Sequence, residues 1–332
     1  MKIKIGIFLL FLTLIIQAQG KSFFSAGEKV CFVGNSITSN AEFYHDILLF
    51  HLTRFPQQFL SFYNCGISGN ETQDVINRLD DDIFIHNPTC AVIMIGMNDV
   101  KRGLYGQNTT TNADTLRLRE KAIDLYKINM EKIINSFLSK NIKVILQKPS
   151  IYDQTAILPK ANNLGVNDAL KICADFVGEL GKKYKLPTVD YFTIMDHLNQ
   201  KMQKKNPAAT LIGSDRVHPG SVGHLVMGYQ FLKTENAPRY VSKIVITKNI
   251  AKSAEKSKNC EITSVFIENN KAAFNVKENS LPFPIVKGQV EALALIPFVD
   301  ELNVELLQVK GLVDGNYKLR IDGELIGLFS NK

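Results

Sequence analysis

The sequence predicts an α/β protein: a three-layer α/β/α sandwich built on a parallel sheet, followed by a small β-rich C-terminal domain. Two observations carry this prediction. Up to about Lys233, short apolar runs alternate with longer segments of helical period, a pattern typical of a parallel sheet with crossover helices. From about Val241 the apolar runs become shorter and richer in β-branched residues, and tight-turn dipeptides separate them.

Five apolar runs are predicted to form the strands of the sheet. Strands that are buried on both faces are continuous rather than alternating in apolar residues, and the run AVIMI is of that kind. The predicted strands span residues 30–33, 59–64, 91–95, 143–147 and 188–191. The predicted helices span residues 41–54, 71–85, 115–139, 167–183, 192–204 and 222–233.

The C-terminal part of the sequence is predicted to contain β-hairpins. Asn269-Asn270, Asp314-Gly315 and Asp322-Gly323 separate apolar runs, as tight turns between paired strands do. The lysine-rich stretch 251–258 is predicted to be a mobile link. We therefore expect a signal peptide in residues 1–20, a main α/β domain in residues 21–238 and a β-rich appendage in residues 239–332.

The first 20 residues are predicted to be a cleaved signal peptide. Lys2 and Lys4 precede an unbroken apolar run, residues 5–16, which the small-residue pattern AQG follows. A membrane anchor is the weaker interpretation, because the run is shorter than the roughly 20 residues that a spanning helix needs. We expect a secreted or periplasmic protein with no stable membrane insertion after cleavage.

Composition limits the classes of partner. The 332 residues are 45% hydrophobic and 21% charged, with 39 lysine and arginine against 32 aspartate and glutamate residues. The lysines lie on polar helix faces without interleaved aromatic residues, so we expect no nucleic-acid partner. The five cysteines are odd in number and lack metal-type spacing, so no disulfide framework, metal or cofactor is predicted. The oligomeric state stays open.

Polar residues follow three of the predicted strands at their carboxyl ends, where ligands bind in open α/β sheets. Ser36 follows the first strand, Gly66 the second and Asn98 the third. Much later in the chain, the segment SDRVHPG supplies Asp215 and His218 just before the last predicted helix. Because the carboxyl ends of parallel strands share one edge, we expect these residues to meet at one rim.

These residue types fit acyl transfer, which needs a nucleophile, a base, a group that orients the base, and donors for the developing oxyanion. Ser36 would attack, and His218 would take its proton and later protonate the leaving alkoxide. Asp215 would fix the imidazole tautomer. The Gly66 amide and the Asn98 side chain would stabilise the oxyanion.

Together these residues resemble the SGNH or GDSL-type hydrolase family over residues 28–233. The resemblance implies a flavodoxin-like sheet and an esterase whose oxyanion is held by the Ser36 and Gly66 amides and the Asn98 side chain. Asn35 departs from the family, which usually has an acidic residue there. The β-rich tail is similar to accessory segments of secreted bacterial members, and its abrupt end suggests a shortened architecture. The four matching blocks are GNSI (34–37), NCGISG (64–69), GMND (96–99) and DRVHP (215–219).

Each candidate residue also has an alternative, structural interpretation. Ser36 could be a helix N-cap after a strand, Asn98 and Asp99 turn residues, and Asp215 a cap for the last helix. Ser68 is a rival nucleophile, but it lacks the G-x-S-x-G spacing of a nucleophile elbow. The joint order of the four blocks favours the catalytic interpretation.

The predicted substrate is an acylated carbohydrate or another small ester. An open rim with short loops suits a compact acyl group on a large polar alcohol, so we expect a serine esterase that removes short acyl groups, above all O-acetyl. The polar segment 101–112 supplies Arg102, Tyr105 and Gln107, which could line a sugar site. The predicted substrate contacts are Asn35, Asp99, Arg102 and Tyr105.

Two other classes of function stay open. A lipase or phospholipase-type acylhydrolase would need an apolar trough near Ser36, which the sequence does not reveal. A non-catalytic carbohydrate-binding protein would keep the fold without needing the set Ser36, Asp215 and His218. A dinucleotide-binding protein is disfavoured because no G-x-G-x-x-G follows the first strand.

Overall fold

The computed structural model describes residues 22–106, 109–268 and 270–331. The predicted signal peptide, residues 1–20, and Gln107 of the predicted sugar site lie outside the described residues. Among the helices in the described ranges, none is both long and apolar enough to pass through a bilayer.

A parallel sheet of five strands forms the centre of the molecule. The strands are β1 (Lys29–Gly34), β2 (Ser61–Gly66), β3 (Cys90–Met94), β4 (Lys143–Lys148) and β5 (Thr188–Asp190). Their order in the sheet is β2-β1-β3-β4-β5, and all neighbours are parallel. This is the flavodoxin-like order, so the predicted fold class is confirmed. Every residue of β3 is buried, which explains its uninterrupted apolar sequence.

Helices cover both faces of the sheet and lie close to their predicted positions. One difference is the predicted helix 71–85, which ends at Asn77 and continues as a π-helical turn, Leu79–Ile83, and a 3₁₀ turn, Phe84–His86. The helices are α1 (Ser36–Ser39), α2 (Glu42–Arg54), α3 (Thr72–Asn77), α4 (Ala113–Leu138), α5 (Val166–Tyr184), α6 (Tyr191–Gln203) and α7 (Ser221–Thr234).

Two glycines let α1 pack directly against the strand ends. A Cβ on Gly34 would clash with the Thr38 side chain of α1 and with the Met94 carbonyl oxygen of β3, and a Cβ on Gly66 would clash with the Ser39 amide nitrogen of α1. Backbone atoms cannot move aside cheaply, so any side chain at either position would push α1 away from the sheet. The absence of a Cβ therefore sets the position of Ser36.

The C-terminal part combines paired strands with two short α-helices and a 3₁₀ segment, Lys287–Ala294. Its elements are β6 (Tyr240–Ile246), α8 (Ile250–Lys256), β7 (Cys260–Glu268), β8 (Lys271–Glu278), α9 (Phe298–Leu302), β9 (Val304–Val309), β10 (Gly315–Ile321) and β11 (Glu324–Asn331). β7 with β8 and β10 with β11 form antiparallel pairs, and Asp322 and Gly323 take the left-handed conformation that a tight hairpin turn requires.

Two predictions for this part were wrong. The stretch 251–258 contains a helix instead of a mobile link, because Asn249 caps α8 by accepting the Lys252 amide at 3.0 Å. Asp314-Gly315 does not join a hairpin, because β9 pairs with β6 in parallel and not with β10. A turn signal identifies where the chain reverses but not which strand it pairs with.

The C-terminal part shares the core of the first part. Phe283, Phe298 and Leu302 are buried within the same apolar cluster as the sheet and its helices. Between the two parts, Gln289 donates to both carboxylate oxygens of buried Asp46, at 3.0 and 2.9 Å. Burial raises the pKa of Asp46 to about 6, although the bonds from Gln289 oppose that shift.

The raised pKa of Asp46 predicts a loss of stability with rising pH. The unfolded aspartate loses its proton near pH 4, whereas the folded one keeps it to about pH 6, so the free energy of unfolding falls between these values. We expect Asp46→Asn to weaken that fall, because asparagine does not titrate and still accepts a bond from Gln289. Urea unfolding midpoints between about pH 4 and 8 measure it.

Asp114→Asn is the matched control, since the Asp114 side chain is 83% exposed. It should leave the slope of stability against pH unchanged. Some slope should persist in Asp46→Asn because Asp99, described below, shifts in the same direction. A slope in Asp46→Asn equal to that of the wild type would contradict the assignment.

Candidate active site

Ser36 begins α1 directly after β1, and its neighbour takes the capping role. The Asn35 side chain is 2% exposed, and its Oδ1 accepts the Ile37 amide at 3.1 Å. The alternative interpretation of Ser36 as the N-cap was therefore wrong. The Ser36 hydroxyl bonds elsewhere: its Oγ lies 2.8 Å from Nε2 of His218.

His218 and Asp215 form one turn just before α7. Nδ1 of His218 lies 2.5 Å from Oδ2 of Asp215, whose Oδ1 accepts the amides of Val217 and His218 at 2.9 and 3.0 Å. Burial raises the pKa of Asp215, but the bonds from the His218 ring and from the two amides outweigh burial and lower it. The ionised carboxylate holds Nδ1 as the protonated nitrogen, so Nε2 faces Ser36 as an acceptor.

Arg216, between these two residues, fastens the turn to the loop after β4. It is 3% exposed and has a φ of 69°, a left-handed conformation uncommon outside glycine. Its guanidinium donates to backbone carbonyls of that loop, at distances of 2.9 to 3.3 Å. The acceptors are the carbonyl oxygens of Asp153, Ala156, Leu158 and Lys160.

Asn98 lies after β3 with both ends of its side-chain amide engaged. Nδ2 donates to the Asn70 carbonyl at 3.0 Å, and Oδ1 accepts Nη1 of Arg102 at 2.8 Å. Because a primary amide carries two N–H groups, one remains for a substrate oxygen. The amide lines a cavity of about 420 Å³ together with Gly69 and Arg102.

Gly66 does not fit the oxyanion role predicted for it. Its amide already donates to Asn64 Oδ1 at 3.0 Å, and the missing Cβ is needed for packing against α1. Gly69, three residues later, lines the cavity beside Asn98 and has a φ of 83°. Sequence reasoning missed Gly69, although the Ser-Gly-Asn turn within the same block was a usable signal.

Asp99 and Asn35 are too deeply buried to fit the substrate contacts predicted for them. Asp99 is 4% exposed, and its Oδ1 accepts the Thr72 amide at 2.8 Å and the Thr72 hydroxyl at 2.6 Å. Burial raises the pKa of Asp99 to about 6, although the bonds from Thr72 oppose that shift. Asp99 thus fastens the start of α3 to the loop after β3, and Asn35 caps α1.

Arg102 and Tyr105, the other predicted substrate contacts, lie on different cavities. Arg102 borders the cavity of Asn98, whereas Tyr105 lines a separate cavity of about 520 Å³ between α4 and α5. The Arg119 guanidinium lies 4.1 Å from the centre of the Tyr105 ring, and Gly165 packs against the ring. The structure therefore does not bring Tyr105 together with Asn98.

Ser68, the rival nucleophile, is exposed on the loop after β2, while the His218 imidazole bonds to Ser36. Within the described ranges, no three histidine, cysteine, aspartate or glutamate side chains are grouped so as to hold a metal ion. Ser36, His218 and Asp215 thus form a connected hydrogen-bonded chain at the carboxyl edge of the sheet, with Asn98 on the neighbouring loop.

The hydrogen-bonded chain of Ser36, His218 and Asp215 agrees with the family model that matches the sequence. The family model described as GDSL-like Lipase/Acylhydrolase matches residues 22–231, and the chain belongs to this family. It is a carboxylic ester hydrolase. An acetylxylan esterase of Geobacillus stearothermophilus is 25% identical in a 224-residue alignment that covers 63% of this chain and 94% of that protein.

Two solved structures resemble the chain, one over nearly its whole length and one over about two thirds of it. A gut microbial diltiazem-metabolizing enzyme is 30% identical, with a TM-score of 0.82 over 95% of this chain and 72% of its own. The crystal structure of Axe2, an acetylxylan esterase from Geobacillus stearothermophilus, is 22% identical, with a TM-score of 0.51 over 64% of this chain and 95% of its own. The second likeness shows the fold alone.

Replacement of Arg216 should impair turnover without strain in the backbone. Glycine accepts the left-handed conformation at this position, so Arg216→Gly removes the buried side chain and its bonds to the four carbonyls without straining the backbone. We expect kcat for p-nitrophenyl acetate to fall about 10- to 100-fold, with little change in KM, because His218 loses its fixed position relative to Ser36.

Lys185→Gly is the matched control for this variant. Lys185 is also left-handed, with a φ of 55°, but it is an exposed C-cap of α5. We expect wild-type kcat from this control. Wild-type kcat in Arg216→Gly would contradict the positioning role.

Proposed function

We propose that the protein is a serine esterase that removes acetyl groups from carbohydrate through an acyl-enzyme on Ser36. The observation that carries the chemical part is the chain of hydrogen bonds from Asp215 through His218 to Ser36. The acetyl-carbohydrate part is supported by the similarity to an acetylxylan esterase. A secreted location, which stays a prediction from residues 1–20, fits a polysaccharide substrate.

In the first half of the proposed reaction, Ser36 Oγ attacks the carbonyl carbon of the ester. The hydroxyl proton passes to Nε2 of His218, and the π electrons of the carbonyl move to its oxygen. The resulting imidazolium is stabilised by the carboxylate of Asp215. Collapse of the tetrahedral intermediate breaks the bond to the alcohol oxygen, which takes the proton from His218 and leaves as a sugar hydroxyl.

In the second half, water hydrolyses the acyl-serine. His218 accepts a proton from the attacking water, and the new tetrahedral intermediate collapses with departure of Ser36 Oγ, which recovers that proton. The products are acetic acid and the free hydroxyl of the carbohydrate. Asp215 remains ionised throughout, in keeping with its lowered pKa.

We assign the oxyanion donors to the Ser36 amide, the Gly69 amide and Nδ2 of Asn98. Gly69 replaces Gly66 because the Gly66 amide is already bonded to Asn64, whereas Gly69 borders the same cavity as Asn98. Donors fixed before the reaction stabilise the developing charge without reorganisation, which is commonly the largest contribution to catalysis of acyl transfer.

The cavity beside Asn98 favours a short acyl group over a fatty chain. Its walls include the ion pair of Glu71 with Lys101, whose Nζ lies 2.5 Å from both carboxylate oxygens. Leu104 supplies apolar surface there. A long acyl chain would desolvate these charges, which opposes the alternative of a lipase or phospholipase.

Acyl-length selectivity and its dependence on Ser36 test the proposal. We expect wild-type initial rates on p-nitrophenyl esters to fall steeply from acetyl to palmitoyl. Ser36→Ala should lower the acetyl rate by about 10⁴-fold or more, because the nucleophile is lost. Release of acetate from acetylated xylo-oligosaccharides, measured in parallel, tests the carbohydrate part.

Ser68→Ala is the matched control, since it removes a hydroxyl from the rival nucleophile. This variant should keep the wild-type rate. Equal rates on acetyl and palmitoyl esters would contradict the short-acyl assignment, and survival of activity in Ser36→Ala would contradict the nucleophile.

A further inference from the structure

Arg102 lies directly behind the Asn98 side chain. Its Nη1 donates to Asn98 Oδ1 at 2.8 Å and to the Met97 carbonyl at 2.9 Å. The backbone of Arg102 is itself held, because its carbonyl accepts Nδ2 of Asn163 at 3.0 Å. The guanidinium is therefore fixed at the side of Asn98 that carries the amide oxygen.

The two bonds to the Asn98 side chain define which way its amide points. Oδ1 faces the Arg102 donor, and Nδ2 faces the Asn70 carbonyl. A 180° rotation would set the amide N–H groups against the guanidinium and the amide oxygen against a carbonyl, so both bonds would be lost. With Arg102 in place, the second N–H of Nδ2 points away from Asn70 and is left for an oxyanion.

We propose that Arg102 is a positioning residue of the oxyanion hole that acts through Asn98 and does not bind the substrate. The proposal rests on the proposed function, because it assigns Asn98 Nδ2 as an oxyanion donor. The bond from Arg102 to Asn98 Oδ1 also polarises the Asn98 amide, which makes its N–H a stronger donor. Both effects act on charge that develops only in the transition state, so they alter kcat and not KM.

A double-mutant cycle between Arg102 and Asn98 tests this route of action. We expect Arg102→Met to lower kcat for p-nitrophenyl acetate about 10- to 100-fold, with KM within about 2-fold of the wild type. In the Asn98→Ala background the same substitution should lower kcat by less than about 3-fold, because the amide that Arg102 orients is gone.

Arg119→Met is the matched control. Arg119 also braces the segment after β3, through two bonds to the Leu104 carbonyl at 3.1 and 2.7 Å, but it makes no bond to Asn98. Its loss should lower the melting temperature with kcat unchanged. Arg102→Lys keeps the charge but not the planar guanidinium whose Nη1 donates to both Met97 and Asn98, so we expect a kcat between those of Arg102→Met and the wild type.

Three outcomes would overturn the proposal. A rise in KM at constant kcat would make Arg102 a substrate contact, and an undiminished effect in the Asn98→Ala background would place its action elsewhere. If Arg102→Met fails to fold, wild-type kcat in Arg102→Lys and in Arg102→Gln overturns it. The wild type and Ser36→Ala, assayed in the same series, distinguish these outcomes from failure of the proposed esterase mechanism. If that mechanism is wrong, the wild type does not hydrolyse the acetyl ester, or Ser36→Ala still does.

Discussion

The hydrogen bond between Ser36 and His218 joins parts of the chain that are 182 residues apart, and the rest of the site depends on it. The position of Ser36 is set by β1, by the Asn35 cap of α1, and by Gly34 and Gly66, which let α1 pack closely against the sheet. On the His218 side, a short turn is tied by Arg216 to the loop after β4. These contacts hold Ser36 and His218 in place relative to each other, as general-base catalysis requires.

Most of the polar side chains at the carboxyl edge of the sheet fix the loops that carry the site residues. Asp99 binds the first residue of α3, Arg102 binds the Asn98 amide, and Arg78 donates to the Cys65 carbonyl at 2.7 Å and to Asn70 Oδ1 at 2.8 Å. The Arg78 bonds fix the end of β2 and the residue whose carbonyl receives Asn98. The loops after β2 and β3 thus form one hydrogen-bonded unit, which supports the proposed oxyanion hole.

The sequence predicted the sheet and most helices because continuous apolar runs and helical periods are local signals of burial. It also predicted that Ser36, His218 and Asp215 belong together, through the order of four short blocks. It could not distinguish Gly66 from Gly69, because the direction of a backbone amide depends on the path of the loop. Asp99 and Asn35 were assigned to substrate because residue type alone does not reveal burial. The role of Arg216 depends on carbonyls more than 50 positions away, and no local pattern signals it.

Covalent labelling tests the role of Ser36 as the nucleophile. An aryl acylphosphonate or fluorophosphonate reacts with a serine only where a base and an oxyanion hole activate it. We expect one adduct per chain, located by peptide mass spectrometry on the peptide that contains Ser36, with loss of esterase activity in proportion to labelling. Labelling of Ser68, or complete inactivation without an adduct on Ser36, would contradict the account.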